Sequence, residues 1–327
     1  MTVVALDPPS LRGALRLNEP MRRHTTFRIG GPATVWAEPA DLDDLRRVAE
    51  WSRRASLPIF LTGEGSNLLV LDGGLDAIVV SLGGSAFRQW SLEEERLRVG
   101  CGMTLGGLLR TTCQLGLSGC EFLSGIPGTV GGSLVMNAGG GRMAPSERGG
   151  EGAESASDVE RVETSRPVRH IGELVESVML MTVDGDLQRL DRDRLQFAYR
   201  SSNLRGGVLL ETVLRMERQD QATVQHRVQQ YFQHKRSTQE LGRPSAGCIF
   251  KNPAGMPAGR LIEASGLKGR RAGGAVVSSV HANFILNDGE ATAADVLALV
   301  ELVRETVARD HGVQLELELI VVGKASA

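Results

Sequence analysis

The feature that most constrains this chain of 327 residues is its glycine, which occupies 40 positions and is concentrated in one stretch. Of these glycines, 21 lie between Leu61 and Gly150, where they alternate with short apolar segments typical of strands. They follow no three-residue period, which excludes a collagen helix. Because glycine permits positive φ angles and close approach of the backbone, this pattern predicts a globular fold whose backbone packs against a ligand.

The overall composition excludes several classes of protein. The hydrophobic fraction of 41% and charged fraction of 23% are those of a globular protein, and the net charge of −2 argues against binding nucleic acid or an anionic membrane. The longest uncharged run, 122–141, contains seven glycines and does not resemble a membrane span. The four cysteines form no CxxC pair, so no metal site is predicted and a reducing, cytoplasmic location is expected.

Periodicity predicts both helices and strands, with a β-α-β start and an α+β unit beyond Glu217, and the predicted class of the chain is α+β. Helices are predicted at 41–55, 105–115, 222–236 and 295–309, with a short one around Leu261. The third of these has Val224, Val228, Tyr231 and Phe232 on its apolar face. Strands are predicted at 58–61, 77–82, 208–216, 283–286 and 315–321, and as two hairpins, 87–90 with 96–101 and 174–183 with 187–190.

Two segments divide the chain. The segment 142–169 has no Leu, Ile, Phe, Tyr or Trp but carries five arginines and six acidic residues, so it is predicted to be a mobile loop inserted in the first domain. The second change of character falls near Glu217, where amphipathic helices replace the glycine-rich strands. The predicted domains are therefore 20–217 and 218–327.

Two glycine segments are candidates for binding a phosphate or a flat ring. GEGSN at 63–67 is a sharp turn after an apolar strand, and the second segment, SGIPGTVGG, is uncharged and rich in hydroxyl groups. Successive N–H groups in such turns form anion-binding concavities. The usual nucleotide fingerprints are missing, because Leu68 replaces the third glycine of GxGxxG and no GxxxxGK[ST] occurs.

Five motifs in order resemble the UDP-N-acetylenolpyruvoylglucosamine reductase family: HTTFRIGGPA, LTGEGSNLLV, LSGIPGTVGGSLVMNAGG, FAYR and PSAGCIFKNP. The resemblance extends from His24 to Gly323. It implies an FAD-binding unit of the vanillyl-alcohol-oxidase or PCMH type, followed by a C-terminal substrate domain. It also implies an NADPH-dependent flavoenzyme that converts UDP-N-acetylglucosamine enolpyruvate to UDP-N-acetylmuramate for peptidoglycan synthesis in the bacterial cytoplasm, with no obligate protein partner.

The resemblance also implies site residues. Arg200, Cys248 and Glu318 match the catalytic positions, although most members have a proton-donating serine where this chain has Cys248. Substrate-binding candidates are Asn252, Lys251 and His281; the further basic candidates for the substrate diphosphate are Lys235, Arg236, Lys268 and Arg270. Residues that match the FAD-contacting loops are Gly63, Glu64, Gly65, Ser66, Asn67, Gly125, Ile126, Pro127, Gly128, Thr129, Gly131, Gly132, Met136 and Asn137.

This trio suits the reaction that the resemblance implies. Hydride addition to the terminal methylene carbon of an enol ether places negative charge on the neighbouring carbon and its carboxylate. Arg200 would stabilise that charge, and Cys248 would protonate the carbon as a general acid. Glu318 would either orient the carboxylate or, if protonated, help to neutralise the enolate. On the residues alone, Glu316 and Glu318 are equal candidates, because alternate strand positions share a face.

Two other functions remain open on the sequence. One is a flavin oxidase of the same superfamily; many of these link FAD covalently through a histidine, and neither glycine segment contains one. The other is a nucleotide-sugar binding protein that has lost catalysis, which the retention of Arg200 and Glu318 argues against. The chain also departs from the family where Gly140, Gly141 and the charged segment replace the Ala-Tyr-Gly that usually follows MNAG.

Overall fold

The structure is a computed structural model that describes residues 7–140 and 169–326. The segment 142–169, predicted to be a mobile loop, lies outside the described residues except for Arg169. The described chain forms two compact units, of which unit 1 combines Met1–Ala86 with Gln239–Ala327 and unit 2 is Phe87–Thr238. Helices and strands are mixed in both units, in agreement with the predicted α+β class.

The strands and helices are numbered along the chain. The first part of unit 1 contains β1 (Ala14–Pro20), β2 (Pro32–Glu38), α1 (Leu42–Ala55), β3 (Ile59–Thr62), β4 (Leu68–Val70) and β5 (Leu75–Ser81). Unit 2 contains β6 (Trp90–Glu93), β7 (Arg96–Gly100), α2 (Leu105–Leu115), β8 (Leu117–Ser118), α3 (Val130–Val135), β9 (Val175–Met181), β10 (Leu187–Asp191), β11 (Phe197–Ala198), β12 (Ser201–Ser202), β13 (Val208–Arg215), β14 (Glu217–Arg218) and α4 (Gln221–Thr238). The second part of unit 1 contains β15 (Ser245–Cys248), α5 (Ala258–Ala264), β16 (Arg271–Ala272), β17 (Ala275–Val277), β18 (Phe284–Asn287), α6 (Ala293–His311) and β19 (Ile320–Val322).

Unit 1 is built on two four-stranded sheets and a parallel pair. The first sheet has the order β1-β2-β5-β3, in which only β1 and β2 are antiparallel. The second sheet, β15-β18-β17-β16, is antiparallel throughout. The pair β4 and β19 joins the two parts of the unit, since one strand comes from each. The core includes Phe27, Leu69, Phe250 and the apolar face of α6.

Unit 2 is built on a five-stranded antiparallel sheet with the order β10-β9-β13-β7-β6. Helix α4 packs on α2 and on the short helical turn Glu121–Leu123. The compact units therefore separate after Ala86 and Thr238, whereas the domains predicted from the sequence, 20–217 and 218–327, meet before α4. Those domain limits stay a prediction.

The helix boundaries agree closely with the sequence because the capping residues are visible in it. Asp41 caps α1 by accepting hydrogen bonds from the N–H groups of Asp43 and Asp44. Helix α2 ends at the predicted Gly116, which has a φ of +63°. The Asp184-Gly185 hairpin is also confirmed, because β9 and β10 pair in antiparallel register.

Three predictions about local structure are wrong. The strand predicted at 87–90 begins only at Trp90, because a helical turn, Ser85–Arg88, precedes it. The C-terminal strand is limited to β19, since residues 315–319 are anchored by an isolated bridge between Leu317 and Phe250 instead of a continuous ladder. Phe232, placed on the apolar face of α4, is 43% exposed, because it lies about 100° around the helix from Tyr231, which packs against the core with Val228.

Candidate active site

The first glycine loop of unit 1 follows β3 directly and needs glycine at its centre. Gly65 has a φ of +61°, and a Cβ atom there would lie 2.2 Å from the carbonyl oxygen of His24. Any other side chain would therefore force the loop and the His24 segment apart. Backbone conformation, more than side-chain chemistry, fixes the shape of Gly63–Asn67.

Asn67 connects this loop to the segment that carries Glu318. Its side-chain amide donates a hydrogen bond to the carbonyl oxygen of Glu318 at 3.1 Å, and its own carbonyl accepts from the Ile320 N–H at 3.0 Å. From there the chain enters β4, which pairs with β19. The loop predicted to contact FAD and the predicted catalytic glutamate are thus neighbours in unit 1.

Cys248 is brought to the same place by main-chain pairing. The N–H of Glu318 donates to the carbonyl oxygen of Ile249 at 2.9 Å, and the N–H of Lys251 donates to that of Glu316 at 2.8 Å. The segment that follows β15 therefore lies alongside residues 316–319. Cys248 and Glu318 are both half-buried; Glu318 donates this hydrogen bond, and Cys248 directly precedes the residue that accepts it.

The structure distinguishes the two glutamates that the sequence leaves equal. The side chain of Glu316 is 77% exposed and forms an ion pair with Lys251 at 3.2 Å. Glu318 is half-buried and lies next to Asn67 and Ile249. The catalytic role predicted for Glu318 is compatible with this placement, and Lys251, a predicted substrate ligand, already has a carboxylate partner.

The other predicted substrate residues lie in the same unit. The Asn252 side-chain oxygen accepts from the Ala258 N–H at 3.0 Å, at the start of α5. His281 packs edge-on against Phe284, and burial lowers the pKa of its imidazole. Its Nδ1 is buried and has no partner among the described residues, so a neutral imidazole is available for a hydrogen bond.

Asn283 was missed by the sequence analysis although it holds this region together. It is 2% exposed, and its side chain accepts from the Phe250 N–H at 2.9 Å and donates to the Phe250 carbonyl at 2.7 Å. These two bonds fix the backbone two residues beyond Cys248. A polar residue directly before the apolar run of β18 is the signal that could have identified it.

The second glycine loop lies in unit 2 and is pinned by main-chain bonds. Gly125 and Gly128 have φ angles of +73° and +136°. The carbonyl of Gly128 accepts from Leu105 at 2.8 Å, and the N–H of Gly131 donates to Cys101 at 2.9 Å. Thr129 then caps the short helix α3. The remaining residues predicted to contact FAD in this loop, Ile126, Pro127 and Gly132, lie within the same pinned stretch.

Met136 and Asn137 end α3. Asn137 has a φ of +44° and is 5% exposed. Its side-chain oxygen accepts from the Gly172 N–H at 3.1 Å, and its amide donates to the Ala198 carbonyl at 2.9 Å. The asparagine therefore ties the loop to the segment that leads to Arg200.

Arg200 has an unusual backbone conformation. Its φ is +54°, its guanidinium lies 5.1 Å from the centre of the Tyr199 ring, and its Nη1 donates to the Gly139 carbonyl at 3.2 Å. A non-glycine residue at positive φ costs about 1–3 kcal/mol and is typical of functional sites. Such a conformation is not visible in the motif FAYR.

Lys235, on α4, is a buried cation in unit 2. It is 5% exposed, and its Nζ donates to the Phe122 carbonyl at 3.3 Å. Burial, together with the charge of Arg200, lowers the pKa of its ammonium to about 7. Lys235 is therefore a buried cation in the same unit as Arg200.

The two loops fit the FAD that the resemblance implies. Each presents main chain in conformations that glycine favours, at Gly65 and at Gly125 and Gly128. The acidic residue of the first loop, Glu64, is exposed. The hydroxyl of Thr62, at the base of this loop, is buried and has no partner among the described residues. A bound polar group could use it.

Comparison with known proteins gives the same result along nearly the whole chain. A family model of an FAD binding domain matches residues 33–149, and a model of the UDP-N-acetylenolpyruvoylglucosamine reductase C-terminal domain matches residues 239–322. These matches confirm the predicted FAD-dependent oxidoreductase. Across residues 7–140 and 169–326, no helix is both long and apolar enough to cross a bilayer.

Individual relatives are similar over most of their own length. The UDP-N-acetylenolpyruvoylglucosamine reductase of Moorella thermoacetica is 42% identical over 94% of this chain and 93% of that protein. The enzyme of the same name from Desulforamulus reducens is 38% identical over 96% of this chain and 95% of that protein. The crystal structure of the reductase from Thermus caldophilus superposes with a TM-score of 0.73 at 32% identity, covering 95% and 99% of the two chains, which confirms the predicted fold class. The chain therefore belongs to the UDP-N-acetylenolpyruvoylglucosamine reductase family.

Proposed function

We propose that this protein reduces UDP-N-acetylglucosamine enolpyruvate to UDP-N-acetylmuramate, with NADPH as the reductant, in the cytoplasm of a bacterium that builds peptidoglycan. The observation that carries the proposal is the pairing within unit 1. The main chain of Glu318 is hydrogen-bonded both to the loop residue Asn67 and to Ile249, the residue that follows Cys248. A proton donor and a carboxylate next to a cofactor loop are what reduction of an enol ether requires.

Bound FAD, once reduced, supplies the hydride that adds to the enol-ether methylene carbon. The role proposed for Arg200 is to bind the substrate carboxylate through its guanidinium fork. Negative charge spreads into that carboxylate as the hydride is transferred, so a fixed cation stabilises the transition state more than the ground state. The Gly139 carbonyl and the Tyr199 ring hold the guanidinium in place.

Cys248 is proposed to complete the addition. The thiol gives its proton to the carbon next to the carboxylate, and the thiolate that remains takes a proton from solvent before the next turnover. Glu318 is proposed either to orient the substrate carboxylate or, when protonated, to neutralise the enolate. Asn252 and His281 are proposed to position the substrate by hydrogen bonds, because the lowered pKa of His281 favours the neutral imidazole.

Lys251 is a weaker candidate for a substrate contact than the sequence indicates. Its ammonium pairs with the exposed Glu316, and a pair of this kind contributes little to stability. The ion pair could open at small cost if a substrate phosphate approached. Lys251 is therefore proposed as an accessory contact only.

A redox titration without oxygen tests the proposal. The purified protein with bound FAD should lose its flavin absorbance when NADPH is added. It should regain the absorbance when UDP-N-acetylglucosamine enolpyruvate follows. UDP-N-acetylglucosamine, which lacks the enol ether, is the control and should not restore it.

Bleaching by an alcohol but not by NADPH would indicate a flavin oxidase. A protein that takes up no FAD would indicate a binding protein, and either result would overturn the proposal.

A further inference from the structure

Lys235 occupies a position where the chain would be expected to place an apolar side chain. Together with Val224, Val228 and Tyr231 it follows the spacing of four, three and four residues that marks one face of a helix. This face of α4 packs on α2 and on the turn Glu121–Leu123. The lysine is accordingly 5% exposed. Lysine is almost never buried to this degree without a paired group.

The contacts of Lys235 do not account for its burial. Its ammonium has three N–H donors, and among the described residues their one hydrogen-bond acceptor is the Phe122 carbonyl, at 3.3 Å. The same part of the chain provides no carboxylate within ion-pair distance of it. A buried ammonium of this kind is costly unless an anion joins it.

The side chain lies against the second glycine loop. A Cβ atom at Gly125 would come within 3.2 Å of the Lys235 Cδ, so the absence of a side chain at Gly125 makes room for the lysine. The cation is therefore placed at a loop predicted to contact FAD, on a helix that also carries Phe232 near the same glycine.

The neighbouring charges make the arrangement less favourable still. Arg200 repels the ammonium of Lys235. On the elements packed against α4, Glu121 already accepts from the Ser118 hydroxyl at 2.6 Å and the Gly119 N–H at 2.8 Å. Arg110 on α2 adds another positive charge and extends along the first turn of that helix. An anion bound at Lys235 would offset both the burial of its ammonium and this repulsion.

We infer that Lys235, in the same unit as Arg200, is a second cation for the substrate and binds an anionic oxygen group of the enolpyruvyl nucleotide, its carboxylate or its diphosphate. This inference rests on the proposed function. Because an anion stabilises the charged ammonium, substrate binding is accompanied by uptake of a proton by Lys235 near neutral pH.

Calorimetry with the FAD-loaded protein tests the inference without measuring turnover. Substrate binding is titrated near neutral pH in buffers that differ in ionisation enthalpy, because the dependence on buffer gives the number of protons taken up. For the unsubstituted protein we expect net proton uptake. Lys235→Gln should weaken binding about tenfold to a hundredfold and reduce the uptake. Lys235→Arg should retain most of the affinity without that uptake, because arginine stays protonated.

Two controls complete the design. Lys324→Gln makes the same chemical change at an exposed lysine that pairs with Asp76, and it should leave both affinity and proton uptake unchanged. UDP-N-acetylglucosamine, which has the diphosphate but no carboxylate, separates the two possible ligands. If Lys235→Gln weakens its binding as well, Lys235 contacts the diphosphate; if only the enolpyruvyl nucleotide is affected, it contacts the carboxylate.

The inference is overturned if Lys235→Gln retains the affinity and proton uptake of the unsubstituted protein. It is also overturned if the substitution shifts the flavin midpoint potential while substrate affinity is unchanged, because the anion would then be the flavin. Failure of the proposed function looks different, since the unsubstituted protein itself would not bind the enolpyruvyl nucleotide. If Lys235→Gln does not fold, Lys235→Arg tests the inference by itself. Binding without proton uptake supports the inference, and binding with the proton uptake of the unsubstituted protein overturns it.

Discussion

The two units hold their candidate residues in different ways. In unit 1, Cys248 and Glu318 are placed by main-chain hydrogen bonds, such as the one from the Glu318 N–H to the Ile249 carbonyl. In unit 2, Arg200 has a positive φ and is held through its own side chain by the Gly139 carbonyl. Lys235 is held by burial and, among the described residues, by one acceptor, the Phe122 carbonyl.

This difference determines what a substitution can reveal. Main-chain hydrogen bonds do not depend on side-chain identity, so replacing Cys248 changes the chemistry and leaves the backbone in place. In unit 2, the side chains that carry the chemistry also hold the local structure. Substitutions there therefore combine a chemical effect with a positional one, and the two must be separated by matched variants.

The largest effect is expected at Cys248. Cys248→Ala removes the proposed general acid, so the rate of substrate reduction should fall about 10²–10⁴-fold. Reduction of the flavin by NADPH should be unchanged, because the thiol takes no part in it. Stopped-flow absorbance measures the two half-reactions separately.

Cys248→Ser is the matched control, because a hydroxyl occupies the same place and donates a proton. It should retain much of the activity in both half-reactions. An alanine variant that reduces the enolpyruvyl substrate at the normal rate would falsify the proposed role. A serine variant as slow as alanine would show that the thiol is required for its acidity.

Asn137 provides the next largest effect and tests the claim about unit 2. Asn137→Ala leaves the Gly172 N–H and the Ala198 carbonyl without partners and places alanine at a φ of +44°. The free energy of unfolding should decrease by about 3–5 kcal/mol. Asn137→Gly should lose about 0.5–1 kcal/mol less, because glycine tolerates this φ. Urea denaturation of the three proteins measures both differences.

Asn283 is the counterpart in unit 1. It also makes two buried hydrogen bonds to main chain, but its φ is not positive. Asn283→Ala should cost about 2–4 kcal/mol, and here the glycine variant should be the less stable of the two. If alanine and glycine have the same order at both positions, the positive φ of Asn137 does not contribute and the contrast between the units is weakened.

The sequence predicts the local elements well because their signals are local. The ends of α1 and α2 are marked by Asp41 and Gly116, and the β9–β10 hairpin by Asp184-Gly185. Prediction from the sequence fails where a contact between residues distant in the chain determines the structure. The choice between Glu316 and Glu318 depends on pairing with residues 249–251, which alternation along a strand does not contain.

In the candidate site too, the sequence predicts the local features but not those that depend on distant residues. The motifs indicate which loops and which arginine matter, but not that Arg200 has a positive φ or that Lys235 is buried beside Gly125. Backbone strain arises only when the surrounding structure imposes it. Asn283 was overlooked because its two partners belong to Phe250, 33 residues earlier in the chain.

The smallest expected effect tests whether unit 1 also depends on side chains away from its candidate site. Asp44, on α1, is fully buried and accepts from the N–H groups of Gly13, Arg12 and Ala40 at 2.8, 3.2 and 3.1 Å. Burial by itself raises the pKa of this carboxyl, but the hydrogen bonds outweigh it and the net pKa is lowered. Because the folded pKa is below the unfolded value of about 3.9, the carboxylate stabilises the fold above that pH.

This stabilisation should be lost as the pH falls through the lower, folded pKa of Asp44. At neutral pH, Asp44→Asn should reduce the free energy of unfolding by about 1–2 kcal/mol, since an amide oxygen accepts these bonds less strongly than a carboxylate. The difference between the two proteins should shrink as the pH falls below about 4. Urea denaturation at a series of pH values measures it. A difference that stays constant with pH would mean that shape, and not charge, makes Asp44 important. Side-chain hydrogen bonding would then matter less in unit 1 than in unit 2.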